Sequence, residues 1–78
     1  MRPKKLQCVV TFQTTTEAMA FEKAAKAIGL RGRLIPLPTT IAAGCGLAWK
    51  EDPEYRVLLE SLINEHNLIY DKIYKLEI

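Results

Sequence analysis

The stretch LQCVVTFQTTTE, residues 6–17, decides how the fold begins. Its first half alternates apolar and other side chains, and this period-two pattern predicts a strand over 5–12 with one buried face. Its second half has the spacing of a capping box, in which Thr14 and Glu17 each bond backbone amides at the start of a helix. The stretch therefore predicts a strand that leads directly into a helix ending near Ile28.

Beyond this stretch, the chain continues to alternate between helical and extended patterns. Gly29 is predicted to cap the first helix in the left-handed conformation. The run Asp52-Pro53-Glu54 supplies an N-cap, a proline at the first helical position and an early acid, so it predicts a second helix that ends near 66–67. Strands are predicted over 33–36, 45–50 and 68–78, and one helical turn over 39–43.

The resulting element order is β-α-β-β-α-β. The simplest packing for this order is an α+β, ferredoxin-like fold, in which two helices cover one face of a four-stranded antiparallel-type sheet. The crossover rule is taken to make the first and third strands parallel central neighbours. A different strand order is the alternative. Because this fold serves many functions, it does not decide between them.

Length and composition indicate a single domain over 1–78, of ordinary globular character. The chain is 49% hydrophobic and 26% charged, which excludes a disordered segment, and its two cysteines are too few for a disulfide scaffold. The length excludes a two-domain enzyme. A basic start with no following apolar segment of signal length predicts a cytoplasmic protein with reduced thiols and no membrane association.

Charge is segregated along the chain. Residues 23–50 carry five lysines and arginines and no acid, whereas residues 51–78 carry seven acids. One interpretation is chance clustering of surface charge, and the other is an electropositive face that attracts an anion or an acidic partner. Nucleic acid is not an expected partner, because the isoelectric point is only about 8.6 and no aromatic residues interleave with the basic ones.

The two cysteines occupy different sequence contexts. Cys8 lies on the apolar face of the first predicted strand and is expected in the core. Cys45 lies between Gly44 and Gly46, where bare backbone amides and positive neighbours favour the thiolate. A helical turn ending just before Cys45 would have the opposite effect on the thiol. Two alternatives stay open: a small residue filling a tight turn, and a disulfide with Cys8.

The remaining candidate residues have simpler interpretations. Glu22 borders the apolar stripe of the first helix and either faces the loop around Cys45 or is solvated. Phe12 and Trp49 are expected to be core aromatics. The cysteines and His66 match no ligand spacing, so neither a metal site nor a cofactor is predicted.

Several segments resemble the selenium/sulfur (Se/S) carrier protein-like family, over about 8–75. They are Thr11-Phe12, residues 18–24, Gly29-Leu30 and above all LIPLPTTIAAGCGLA at 34–48. In that family, the cysteine after the Pro-x-Pro segment carries persulfide or selenide. The resemblance therefore implies this role for Cys45, with the motif residues Pro36, Pro38, Gly44 and Gly46 around it.

Two positions depart from related patterns. The family commonly has an arginine after the second proline, where this chain has Thr39, so a cation near the thiol is missing. Other sulfur-transfer proteins use a Cys-Pro-x-Pro motif, whereas here Ile35 precedes Pro36. Thr39 and Glu22 are the candidates for residues that support the Cys45 site.

The resemblance implies a carrier more than a catalyst. Such a carrier accepts sulfur or selenium from a donor such as a cysteine desulfurase and passes it to an acceptor protein. The alternative is a non-catalytic regulatory or protein-interaction module, in which the last strand offers an edge for a homodimer. In this alternative Cys45 is structural, or it is a redox-sensing thiol that pairs with Cys8 or with a second subunit.

Overall fold

A computed structural model of the chain describes residues 5–38, 41 and 46–78. The predicted order of elements is confirmed. The strands are β1 (Leu6–Thr11), β2 (Arg33–Pro36), β3 (Leu47–Glu51) and β4 (Ile73–Glu77), and the helices are α1 (Thr15–Ala27) and α2 (Arg56–His66). A 3-10 turn, Pro53–Tyr55, precedes α2.

The four strands form one antiparallel sheet in the order β2-β3-β1-β4, so the ferredoxin-like prediction is confirmed. β1 and β3 are central neighbours as expected, but the prediction that they run parallel is wrong, because Cys8 pairs Glu51 and Thr11 pairs Ala48 in antiparallel register. The physical reason is the connectivity. The crossover through α1 makes β1 and β2 parallel, and β3 reverses direction after β2 before it inserts between them.

The start of α1 follows from its capping residues. The Thr14 hydroxyl accepts a hydrogen bond from the Glu17 amide at 3.2 Å, as the capping box predicts. The Glu17 carboxylate reaches one residue further back than expected, to the Gln13 amide at 3.2 Å. At the other end, Gly29 has φ 82° and donates to the Lys26 carbonyl at 3.0 Å, which confirms its capping role.

The second helix and the last strand are shorter than predicted. Asp52 caps the Glu54 amide at 3.2 Å, but the first turn is 3-10 and the α-helix begins only at Arg56. Asn67, with φ 50°, ends it. Residues 68–72 are not strand, so only 73–77 of the predicted 68–78 is confirmed. In the described residues no helix is long and apolar enough to cross a membrane.

The two faces of the sheet are packed differently. On one face, both helices enclose a buried set that we call the helix-side core, formed by Cys8, Val10, Phe12, Ala18, Phe21, Ala25, Trp49, Leu59 and Leu62. Its aromatic rings contact one another in tilted pairs, with ring centroids 5.4 Å apart for Phe12 and Phe21 and 5.7 Å apart for Phe21 and Trp49. On the other face lies a smaller set that we call the loop-side cluster, formed by Val9, Ile41 and Ala48.

Candidate functional site

The candidate site lies on the connection between β2 and β3, residues 37–46. The Leu37 amide donates to the Gly46 carbonyl at 2.9 Å, which extends the β2–β3 pairing by one residue beyond Pro36 and Leu47. The two ends of the connection therefore lie side by side. At its beginning, Pro36 is exposed and Pro38 is half-buried.

One residue fixes this connection to the sheet. The Ile41 amide donates to the Pro38 carbonyl at 3.0 Å, and the Ile41 side chain, only 9% exposed, packs against Val9 and Ala48. Ile41 thus lies on the face of the sheet opposite the helices. Apart from Ile41, the predicted helical turn over 39–43 lies outside the described residues.

Gly46 is required for its backbone conformation. Its φ of 73° lies in the left-handed region, where an L side chain is strained. A Cβ built on Gly46 would meet no atom within 4 Å, so space does not select glycine here. Gly46 is exposed and begins the return into β3, directly after Cys45 in the chain.

The other predicted site residues are distributed unevenly. Thr39, Gly44 and Cys45 lie outside the described residues. Glu22 lies on α1, on the other side of the sheet from Ile41, and its carboxylate pairs with the Lys26 ammonium at 3.5 Å. This pairing at i and i+4 agrees with the interpretation of Glu22 as a solvated helix residue.

Cys8 belongs to the core, as its position on β1 predicted. It is a free thiol with no exposed surface. Burial raises the pKa of the Cys8 thiol above its ordinary value of 9.0, and the carboxylates of Glu51 and Glu60 add to the rise, whereas Arg56 and Lys75 oppose it. A thiol held in its protonated form and away from solvent is a poor nucleophile.

Glu51 is a buried polar residue that the sequence interpretation missed. The residue is 2% exposed, and its carboxylate accepts from the Gly32 amide at 3.2 Å, the Trp49 indole N–H at 3.3 Å and the Asp52 amide at 3.3 Å. A side chain at Gly32 would collide with these groups. Glu51 therefore joins the loop after α1 to the end of β3. The signal was available, since alternation from Trp49 places Glu51 on the helix side.

Three cations of the acid-free stretch lie together. Arg31, Arg33 and Lys50 line a cavity of about 450 Å³ at the end of the β2–β3 pair away from Gly46. Acidic residues, among them Glu54, also line this cavity, so its charge is mixed. In the described part of the chain, no three histidine, cysteine or acidic side chains are grouped as metal ligands would be.

The comparison with known protein families identifies the chain. The family described as "Putative Se/S carrier protein-like" matches residues 7–75, nearly the whole sequence. Searches of curated protein sequences and of solved structures each returned no significant match. The matched residues include Pro36, Pro38 and the Gly44-Cys45-Gly46 segment. They also include all of β2 and β3, β1 from its second residue, and β4 up to Lys75. This chain therefore belongs to the Se/S carrier protein-like family.

Proposed function

We propose that this protein is a small sulfur or selenium carrier of the cytoplasm. Cys45 takes up sulfane sulfur, or selenium at the same oxidation level, from a donor such as a cysteine desulfurase and delivers it to an acceptor protein. The observation that carries the proposal is the family match over residues 7–75, which includes the Pro36-x-Pro38 segment and Cys45. A reducing compartment keeps such a thiol available between transfers.

The burial of Cys8 supports Cys45 as the carrying residue. The chain has two cysteines, and Cys8 is enclosed by both helices with no exposed surface. A donor protein cannot bring its persulfide to that thiol without unfolding the helix-side core. A thiol chemistry of the folded protein therefore belongs to Cys45.

The proposed transfer is an exchange at sulfur. The Cys45 thiolate attacks the terminal sulfur of the donor persulfide, the new sulfur–sulfur bond forms, and the donor's own sulfur–sulfur bond breaks. The electron pair of the broken bond leaves with the donor thiolate, so neither an external oxidant nor a reductant is needed. Delivery repeats the exchange, with the acceptor nucleophile attacking the terminal sulfur and the Cys45 thiolate leaving.

The geometry next to Cys45 is compatible with docking of a second protein. Gly46 is exposed and has open space on its Cα, so nothing in the described residues covers the chain immediately after the thiol. Ile41 meanwhile holds the same connection against the sheet. A connection that is fixed at one point and open at another suits a carrier that presents its thiol to partners.

Intact-protein mass spectrometry tests the proposal. The purified protein is incubated with a cysteine desulfurase and cysteine, without reductant, and its mass is measured. We expect a gain of one sulfur atom on the wild type and on Cys8→Ala, and no gain on Cys45→Ala. Selenocysteine as substrate of the same donor gives the parallel test for selenium.

Two outcomes would overturn the proposal. One is the absence of any adduct on a folded wild-type protein, and the other is an adduct that persists on Cys45→Ala. Circular dichroism of each variant shows that the fold is retained, and Cys8→Ala is the matched control because it removes the same group from the other site.

A second candidate function is a regulatory or protein-interaction module without sulfur transfer. The observation that favours it is the outer edge of β4, which no described strand covers. In this case Cys45→Ser should complement a deletion strain as well as the wild type does. If Cys45 is instead a redox-sensing thiol, the number of free thiols counted per chain should fall under oxidising conditions.

A further inference from the structure

The sheet has two outer edges, and the edge formed by β2 is the less suited to pairing with another strand. Leu37 bonds to Gly46, and hydrogen-bonded pairs alternate in an antiparallel ladder, so Arg33 and Ile35 also direct their backbone groups toward β3. The outward positions of this four-residue strand are therefore Leu34 and Pro36. Because proline has no N–H, this edge offers a single outward donor and resists extension by another strand.

β4 forms the other edge, and each of its outward positions has both a backbone N–H and a C=O group. Lys5 and Ile78 exchange both backbone hydrogen bonds, at 3.4 and 3.0 Å. By the same alternation, Tyr74 and Leu76 face β1, whereas residues 73, 75 and 77 direct their N–H and C=O groups outward. No described residue bonds to these outward groups beyond the sheet. Such an edge is a template for another strand.

The side chains of β4 are suited to a particular partner. Lys75 and Glu77 lie two residues apart on the helix side of the sheet, and each is exposed. On the other face, Tyr74 and Leu76 pack beside the loop-side cluster, and Ile78 continues this row with 37% of its surface exposed. The edge thus combines one charge of each sign with an apolar row that reaches solvent.

We propose that two copies of this chain associate through antiparallel pairing of their β4 strands, with the two-fold axis at Leu76. In this register, Lys75 of each copy lies opposite Glu77 of the other, and both belong to the outward-facing set that can exchange hydrogen bonds. Tyr74 lies opposite Ile78 of the other copy, and the two Leu76 side chains meet at the axis. The result is a continuous eight-stranded sheet.

The charges of Lys75 and Glu77 favour this register over the one whose two-fold axis lies at Lys75. Moving the axis to Lys75 would also pair outward groups, but it would place the two lysines opposite each other, and like charges in directly opposite positions are unfavourable. The axis at Leu76 replaces that repulsion by two attractive pairs. It also removes the exposed surface of Ile78 from water, since the partner's Tyr74 covers it. The dimer uses no part of the 37–46 connection and is independent of the sulfur-carrier proposal.

Sedimentation equilibrium over a concentration series tests the dimer. We expect the wild type to approach twice its 8.8 kDa monomer mass at high concentration. Lys75→Glu and Glu77→Lys should each raise the dimer dissociation constant by roughly tenfold, because each turns two attractive pairs into two repulsive ones. Lys23→Glu, on the exposed surface of α1, is the control for charge alone and should leave the dissociation constant unchanged.

Variants that restore the Lys75–Glu77 charge pairs provide the decisive measurements. The double variant Lys75→Glu/Glu77→Lys should dimerise as the wild type does, and an equimolar mixture of the two single variants should form a heterodimer. The proposal is overturned if the wild type remains monomeric throughout, if the single variants dimerise normally, or if the double variant stays monomeric. Each variant should stay folded because both side chains are exposed, and circular dichroism checks this.

Discussion

The helix-side core and the loop-side cluster are built from the same strands but are closed in different ways. Two helices cover the first, with Phe21 and Leu59 fully buried between them and the sheet. On the second, among the described residues, the buried side chain of Ile41 from the 37–46 connection packs against Val9 and Ala48. The same strand β1 contributes Val10 to one side and Val9 to the other, and both have no exposed surface.

The difference shows how the main core and the candidate site are separated in so small a domain. The helix-side core buries most of the large side chains and therefore supplies most of the stabilisation from burial. The loop-side cluster adds less, but it determines where the 37–46 connection lies. Changes on the first face should act on the fold as a whole, whereas changes on the second should act on the connection that contains Cys45.

The largest effect is expected from Phe21→Ala. This change removes a fully buried ring that contacts both Phe12 and Trp49, and such truncations cost about 3–5 kcal/mol. Much of the stability of a domain of this size would be lost. Urea unfolding followed by circular dichroism measures the change in the free energy of unfolding. A loss below about 1 kcal/mol would contradict the helix-side core as the main source of stability.

Ile41→Ala should have a smaller effect on stability and a larger one on the connection. We expect a loss of about 2 kcal/mol, at the lower end for such truncations because Ile41 retains contact with solvent. The rate at which Cys45 is alkylated should change in the folded protein. Val57→Ala, at a side chain that is 73% exposed, is the control and should change neither quantity. An unchanged alkylation rate in Ile41→Ala would contradict the fixing role of Ile41.

Gly46→Ala sharpens the comparison, because Gly29 offers a matched position. Both glycines have positive φ, at 73° and 82°, and neither has an atom within 4 Å of a built Cβ. Each alanine substitution should therefore cost about 1 kcal/mol through backbone strain alone. Only Gly46→Ala should alter the alkylation rate of Cys45. Equal effects of both variants on that rate would show that the conformation of Gly46 has no bearing on the thiol.

The smallest effect concerns pH and the buried thiol. Because burial raises the pKa of Cys8 in the folded state, the unfolded chain loses this proton first as pH rises. The associated stability is fully present below the ordinary pKa of 9.0 and is lost as pH rises from there toward the folded-state pKa. The free energy of unfolding of the wild type should therefore fall more steeply above pH 9 than that of Cys8→Ala. Identical slopes would contradict a raised pKa.

The local elements were predictable because short-range chemistry determines them. The Thr14 cap, the Gly29 cap and the Asp52 cap each act within one turn, and all three are found. The direction of β3 relative to β1 was predicted wrongly, because it depends on how β3 inserts between strands that are distant in sequence. The last strand was overextended for a related reason, since only the positions that pair with β1 are strand.

The candidate site was predictable in part. The position of Cys8 in the core followed from alternation along β1. The role of Cys45 stays a prediction, which rests on the residues around it and on the family to which the chain belongs. Alternation from Trp49 places Glu51 on the helix side of the sheet, but neither the hydrogen-bond partners of Glu51 nor the role of Ile41 followed from the sequence. Ile41 acts across the sheet on Val9, and Glu51 accepts from Gly32, which lies nineteen residues away. Contacts of this kind have no period or spacing in the sequence.

The sequence by itself determined the order of elements and the ends of α1, because each depends on residues close together in the chain. It also determined the family, which is recognised along residues 7–75 without reference to the fold. Only the tertiary structure decided the antiparallel pairing of β1 with β3, the packing of Ile41 on the second face, and which residues of β4 direct their backbone groups outward. These features depend on which segments meet after folding. The physical reason is that packing selects among arrangements that local preferences leave equally favourable.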